Sequence, residues 1–133
     1  MAYSPLMAAV LLVEDNEELA EFVRSALLKR AHQVTIAGTA EDALDRLKAG
    51  ERFEALVLDG LLPGMDGAEL VRELDESSIA PIPTILTSAT IDLSRVKSKR
   101  WPIVERVEKP FQIEVLINAV ENAARRGASG QSL

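Results

Sequence analysis

Five residues able to do chemistry stand at the ends of short apolar runs in this chain. Glu14 and Asp15 follow AVLLV, Asp59 closes ALVLD, Thr87 lies in PTILTSA, and Lys109 ends IVERVEK. Three carboxylates brought within a few ångströms of each other repel, and one would be driven to take up a proton. A divalent cation removes that difficulty. An all-oxygen set with no His or Cys suits Mg2+ or Mn2+, with several coordination sites left to water. Beside such an ion a carboxylate can attack phosphorus and become an aspartyl phosphate. An ammonium can then pair with phosphoryl oxygens, and a hydroxyl can donate to another. All of this requires the five to meet in space, so the elements that carry them decide the matter.

Apolar runs and amphipathic stretches alternate about five times. AAVLLVED reads as a buried strand, and NEELAEFVRSALLKRA places Leu19, Phe22, Val23, Ala26 and Leu27 at helical spacing. HQVTIAG is a short strand. TAEDALDRLKAG is a helix with Thr39 as N-cap and Gly50 as its stop. After ALVLD come the turn residues Pro63 and Gly64, and Asp66 with Glu69 has capping-box spacing for GAELVRELDE. PTILTSA is the fourth strand. IVERVEK is a fifth whose charges suit a sheet edge, and PFQIEVLINAVENAARRG is a helix with Ile113, Leu116, Ile117 and Val120 on one side. Such alternation predicts an α/β fold: an open, doubly wound parallel sheet with helices on both faces. Five units are too few for an eight-stranded barrel. The carboxyl ends of parallel strands share one rim, where ligands bind, and all five chemical residues fall there.

Composition narrows the field further. The 133 residues are one domain's worth, divided here into a domain over 1–126 and a flexible tail over 127–133. Apolar residues make up 47% and aromatics only 4%, so the core must be aliphatic, as in strands buried on both faces. A net charge of -6 argues against direct binding to nucleic acid or an anionic membrane. Without cysteine there is no disulfide or thiolate chemistry. The opening apolar run is too short to span a bilayer and has no basic flank, so a soluble cytoplasmic protein is expected. His32, the sole histidine, sits between a helix and a strand and reads as a connector, not as a phosphodonor or metal ligand.

The strand-end ED and LD, followed in order by LPGMDG, ILTS and EKPF, resemble the receiver domain of two-component response regulators, over about Ala8 to Arg126. The resemblance implies a flavodoxin-like five-stranded sheet of order 2-1-3-4-5. It implies that Asp59 accepts a phosphoryl group from a histidine kinase or phosphotransfer protein. Asp15, Asp59 and the backbone carbonyl of Leu61 would be direct Mg2+ ligands, with Glu14 assisting. Thr87 would be the switch hydroxyl and Lys109 the phosphate-pairing amine, and the Lys109–Pro110 peptide would be cis. No turnover of an external substrate is expected.

The chain also departs from that pattern. Arg106 stands where receivers usually have an aromatic ring, and a long cation resists burial. SATIDLSRVKSKRWPI has a poor helical pattern, which predicts a short or irregular helix between the fourth and fifth strands. Arg95, Lys97, Lys99 and Arg100 crowd there. The bland reading of that segment is a solvated loop; the sharper one is a face over residues 91–106 that docks an acidic partner. Leu61 and Ala89, two residues after Asp59 and Thr87, offer no polar group to orient water, which predicts slow self-dephosphorylation. Two other functions compete. A haloacid-dehalogenase-type phosphatase needs a second aspartate where Leu61 stands. A docking module independent of phosphorylation would have had no use for the five-residue set. The chain ends soon after the last helix with no output domain in view, which suits a stand-alone receiver and a piece of a hybrid kinase or larger regulator equally.

Overall fold

The runs AVLLV, ALVLD and TILTS become central strands because they are covered on both sides. The computed structural model describes residues 7–89 and 96–128, with side chains to residue 126. Its elements are β1 (Ala9–Val13), α1 (Glu17–Lys29), β2 (Gln33–Ala37), α2 (Ala40–Lys48), β3 (Ala55–Asp59), α3 (Gly67–Asp75), β4 (Thr84–Ser88), β5 (Ile103–Glu108) and α4 (Ile113–Ala128). The strands form one parallel sheet in the order β2-β1-β3-β4-β5, the order expected. β5 is an edge strand, where Glu105, Arg106 and Glu108 can reach water.

Alternate residues of the central strands feed two cores. Leu11, Val13, Leu56, Leu58 and Leu86 point toward α2 and α3, while Val10, Leu12, Val57 and Ile85 point toward α1 and α4. That division explains the unbroken apolar runs: neither face of β1, β3 or β4 is wet.

The caps sit where the sequence placed them. Thr39 accepts the Asp42 N–H at 3.0 Å, and Asp66 and Glu69 form a reciprocal capping box. α2 ends at Gly50 (φ +95°), whose N–H donates to the Leu47 carbonyl while the Glu51 N–H reaches Arg46. α1 ends in the same geometry, but with Ala31 at φ 69°, a position that favours glycine.

Four features differ from the sequence reading or exceed it. Phe22, spaced as a core residue, is 55% exposed; Ala20 takes the inward position with Val23 and Leu27. Trp101, read only as part of a break, is 2% exposed, and its indole Nε1 donates to Thr84 Oγ1 at 2.8 Å. His32 is a connector, but a buried one. Its Nδ1 accepts the Ala8 N–H at 3.1 Å and its Nε2 lies 2.8 Å from Glu121 Oε2, whose carboxylate also takes a two-pronged contact from Arg30. Finally, residues 96–102 contain no helix. The expected irregular helix, with Ile91, Leu93 and Arg95, falls largely on residues 90–95, outside the described residues; so does the tail from residue 129.

Candidate functional site

Strand order reverses at β1, so its carboxyl end and that of β3 open a crevice on the sheet's upper rim. Neighbouring strands' backbones pin the chain at Glu14, at Asp59 and Thr87, and at Lys109. The Glu14 N–H donates to the Ala37 carbonyl at 3.1 Å, and the Gly60 N–H to Thr87 at 2.6 Å. The Lys109 N–H donates to Ser88 at 2.7 Å. In register, Asp59 stands opposite Thr87, and Thr87 opposite Val107. The ladders thus run one residue past the strands and fix where the side chains begin.

The five sequence-predicted side chains fall at this one rim. Glu14, Asp59 and Thr87 are buried at 5%, 5% and 3% exposure, whereas Asp15 faces solvent. Ligand oxygens of Glu14, Asp15 and Asp59 lie within 4.8 Å of one another. Lys109 Nζ donates to Glu14 Oε1 at 2.7 Å and to Asp59 Oδ2 at 3.1 Å. The other Asp59 oxygen accepts the Leu61 N–H at 3.0 Å, and Glu14 Oε2 accepts the Asn16 N–H at 3.1 Å. The Lys109–Pro110 peptide is cis, as the resemblance implied.

Burial pushes the Glu14 carboxyl above its ordinary range, with Asp59's charge adding to the effect and the Lys109 and Asn16 hydrogen bonds only partly opposing it. Burial alone would pull the Lys109 ammonium down, but its hydrogen bond to Glu14 and the charge of Asp59 outweigh burial and hold it above the usual lysine value. One ammonium faces three carboxylates. The site is therefore short of positive charge, and its donors are all hard oxygens, the set a Mg2+-sized ion prefers.

Sequence reasoning missed several residues that position this site. Asn16 caps α1 by accepting the Leu19 N–H at 3.0 Å. Glu41 accepts the Met65 N–H at 3.2 Å and so ties the β3–α3 turn to α2. Gly67 lets α3 start against the end of β3: a Cβ there would lie 2.7 Å from the Asp59 carbonyl oxygen and 2.7 Å from Gly60 Cα. Asn16 had a legible signal, a capping residue just before an acidic first turn; the other two depend on tertiary contact.

The rim around the site is mixed. Leu19, Phe22, Ala89, Pro110 and Phe111 line an apolar hollow of about 370 Å3 against Lys109. Leu61 is 58% exposed. Arg106 lies at the surface, as a cation should, and its Nη2 donates to the Val96 carbonyl at 2.8 Å. Of the basic crowd, Lys97, Lys99 and Arg100 are exposed, and Arg95 lies outside the described residues; Arg100 spends its guanidinium on backbone carbonyls of Leu74, Asp75, Ser77 and Ile79.

Comparison with known proteins agrees with this geometry. The family model described as the response regulator receiver domain matches residues 10–121. The transcriptional regulatory protein AfsQ1 of Streptomyces coelicolor is 32% identical over 91% of this chain and 53% of its own length. The sensory transduction protein RegX3 of Mycolicibacterium smegmatis is 30% identical over 92% of this chain and 53% of its own. The chain thus spans about half the length of the curated relatives it matches. Among solved structures, a Francisella response regulator receiver domain superposes with a TM-score of 0.77 at 25% identity, covering 90% of this chain and 98% of that one. A structure named FixJ-N gives 0.74 at 28% identity, covering 88% and 93%. Among the described residues, no helix is long and apolar enough to cross a membrane.

Proposed function

The chain belongs to the response regulator receiver family, whose members serve two-component signal transduction, and we propose that it accepts a phosphoryl group on Asp59. The donor is a phosphohistidine of a histidine kinase or phosphotransfer protein. An Asp59 carboxylate oxygen attacks phosphorus, the P–N bond breaks, and the imidazole leaves with a proton as the acyl phosphate forms. The observation that carries this reading is the meeting of Glu14, Asp15 and Asp59 within 4.8 Å, with the Lys109 ammonium bridging two of them.

Mg2+, or Mn2+ in its place, held by Asp15, Asp59 and the Leu61 carbonyl with Glu14 assisting, supplies the countercharge that lets a carboxylate meet an anionic phosphoryl group. The chain's own side chains do the rest. Lys109 leaves Asp59 Oδ2 and pairs with a phosphoryl oxygen, and Thr87 donates its hydroxyl to another. The Leu61 N–H keeps the attacking carboxylate from turning. The apolar hollow beside Lys109 gives a donor protein a dry surface on which to seat its histidine. No external substrate is turned over, because Leu61 stands where a second acid would be needed.

In this reading residues 1–126 form the signalling domain, 127–133 a tail, and the protein works in the cytoplasm. It binds no nucleic acid directly. Its downstream partner docks on the 91–106 region, in whose described part Lys97, Lys99, Arg100 and Arg106 are exposed, with Arg100 and Arg106 donating to backbone carbonyls.

A docking module independent of phosphorylation is the second reading, favoured by the surface-lying Arg106, which cannot follow a hydroxyl inward as a ring can. Titration with beryllofluoride and Mg2+ separates the two. The phosphoacceptor reading expects saturable binding that Asp59→Asn abolishes; partner binding that is equal with and without the analogue supports the docking module instead.

A further inference from the structure

We propose that β2 is a docking edge for a second copy of this chain. Two molecules join β2 to β2, antiparallel about a two-fold axis through Thr35, into one continuous sheet. The contact leaves the Asp59 rim alone, because antiparallel joining sends the carboxyl ends of the two halves in opposite directions and keeps both rims open.

The sheet has two edges, and only one is guarded. On β5, Glu105, Arg106 and Glu108 are exposed and the ladder to β4 shifts register. Charges and irregularity of that kind discourage another strand from pairing. β2 has neither. QVTIA contains no charge and no proline, and its ladder to β1 runs unbroken from Gln33 to Ala37. Val34, Thr35 and Ile36 are β-branched, the type that favours strand pairing. The Gln33 N–H donates to the Ala8 carbonyl, and the Ala37 carbonyl accepts the Glu14 N–H. Alternation then turns the N–H and C=O groups of Val34 and Ile36 outward. Among the described residues these groups have no hydrogen-bond partner.

The outward groups are complementary to themselves. About an axis through Thr35, Val34 of each copy stands opposite Ile36 of the other, and every such pair exchanges both N–H···O=C bonds. Between them the two Thr35 residues form the close pair without backbone bonds, their half-buried side chains on the face opposite α1.

α1 covers this edge, with Ala20, Val23 and Leu27 in one cluster with Val34 and Ile36. Its outer flank also fits its own copy. Glu17 and Glu21 share a hollow with Ile36, whereas Leu19 and Phe22 face Phe111 on the other flank. Arg24 and Leu28 continue the Glu17 flank at helical spacing, and Leu28 is 44% exposed. Joined strands about 4.8 Å apart bring the two α1 axes to about 10 Å, the separation of packed helices. The helices run antiparallel, so Glu21 of each copy faces Arg24 of the other, and the acidic first turn faces the end that carries Lys29. Leu28 is covered in the joint. The chain thus carries, on one flank, the charge order and the strand edge that a second copy needs.

The sequence has no cysteine, so one introduced thiol reports the pairing cleanly. Thr35→Cys and Gln33→Cys proteins are oxidised with diamide, and the rate of dimer cross-linking is followed on denaturing gels. The proposed pairing sets the two Cα atoms at position 35 about 4.5 Å apart, within disulfide reach, and those at position 33 about 14 Å apart. Gln33 is the more exposed position, so random collision would favour it. We expect Thr35→Cys to cross-link about tenfold faster than Gln33→Cys. Sedimentation equilibrium of the full chain should show a dimer whose dissociation constant rises about tenfold in Thr35→Lys, which sets like charges opposite each other, and stays within about twofold in Thr35→Val. Leu28→Glu, a change on the surface of α1, serves if Thr35→Lys does not fold. A parent that sediments as a monomer at its highest soluble concentration overturns the proposal, as does Gln33→Cys cross-linking as fast as Thr35→Cys. A dimer that both Thr35→Lys and Leu28→Glu leave intact places the contact on another face and overturns it too.

Discussion

Replacing Glu121 by alanine should destabilise the protein by about 2–3 kcal/mol, although residue 121 lies far from the functional rim. The Ala8 N–H donates to His32 Nδ1, so the ring proton resides on Nε2 and points at Glu121. The His32 side chain is fully buried. Without the carboxylate, that N–H has no acceptor, a loss worth about 1–3 kcal/mol. The Arg30 side chain is 54% exposed, so water replaces much of what it loses, and its share is at most about 1 kcal/mol. Together these should lower the melting temperature by roughly 6–12 °C for a chain of this size. Glu121→Gln keeps an oxygen for His32 and should cost about 1 kcal/mol.

The effect depends on pH with a definite sign. Burial would raise the Glu121 carboxyl, but the His32 hydrogen bond and the Arg30 charge outweigh it and hold it below its ordinary value of 4.5. Its contribution is therefore complete above the unfolded value and lost as pH falls through the lower folded one. The gap between parent and Glu121→Gln should close on acidification below about 4.5. Urea unfolding followed by emission of Trp101, the sole tryptophan and fully packed, measures all three proteins. A Glu121→Ala protein within about 0.5 kcal/mol of the parent, outside the range set by an orphaned buried donor, would refute the reasoning.

Gly67→Ala should cost about 1–3 kcal/mol and slow phosphorylation, because the new methyl meets two backbone atoms at 2.7 Å and pushes the β3–α3 turn off Asp59; unfolding and phosphorylation rates measured on one preparation check both halves. Leu61→Asn and Ala89→Glu should each shorten the life of the aspartyl phosphate by giving attacking water a polar partner, and a decay rate unmoved by both substitutions removes that argument. Charge reversal of Lys97 and Lys99 should weaken capture of an acidic partner while Asp59 phosphorylation proceeds at the parent rate; undiminished capture ends the docking idea.

The sheet was legible because its physics is local. Runs such as ALVL and TILT lack alternation, which means both faces are covered, and capping signals at Thr39, Asp66 and Gly50 bracket the helices. The site was legible because polar residues ending apolar strands on one rim have few other reasons to be there. What stayed hidden depends on contacts across the fold. Nothing near His32 in sequence announces Glu121, 89 positions away. Asp75 reads as an ordinary helix-end acid until Lys99, Arg100 and Trp101 turn their amides toward it. Phe22 has core spacing, yet Ala20 and Val23 are enough to fill the space beneath α1, and the ring is left at the rim beside Lys109. Trp101 looked like an interruption because its partner, Thr84, lies on β4, distant in sequence.

The most direct test of the account is covalent. Incubation with a small-molecule phosphodonor and Mg2+, followed by intact-mass and peptide spectrometry, should add one phosphoryl group, on Asp59, labile to hydroxylamine and dependent on the metal. Asp59→Asn should remain unmodified, and Lys109→Ala should be modified far more slowly. A parent protein that stays unmodified under conditions that phosphorylate another receiver, or one modified equally well without Asp59, contradicts the claim that these five side chains form a phosphoacceptor site.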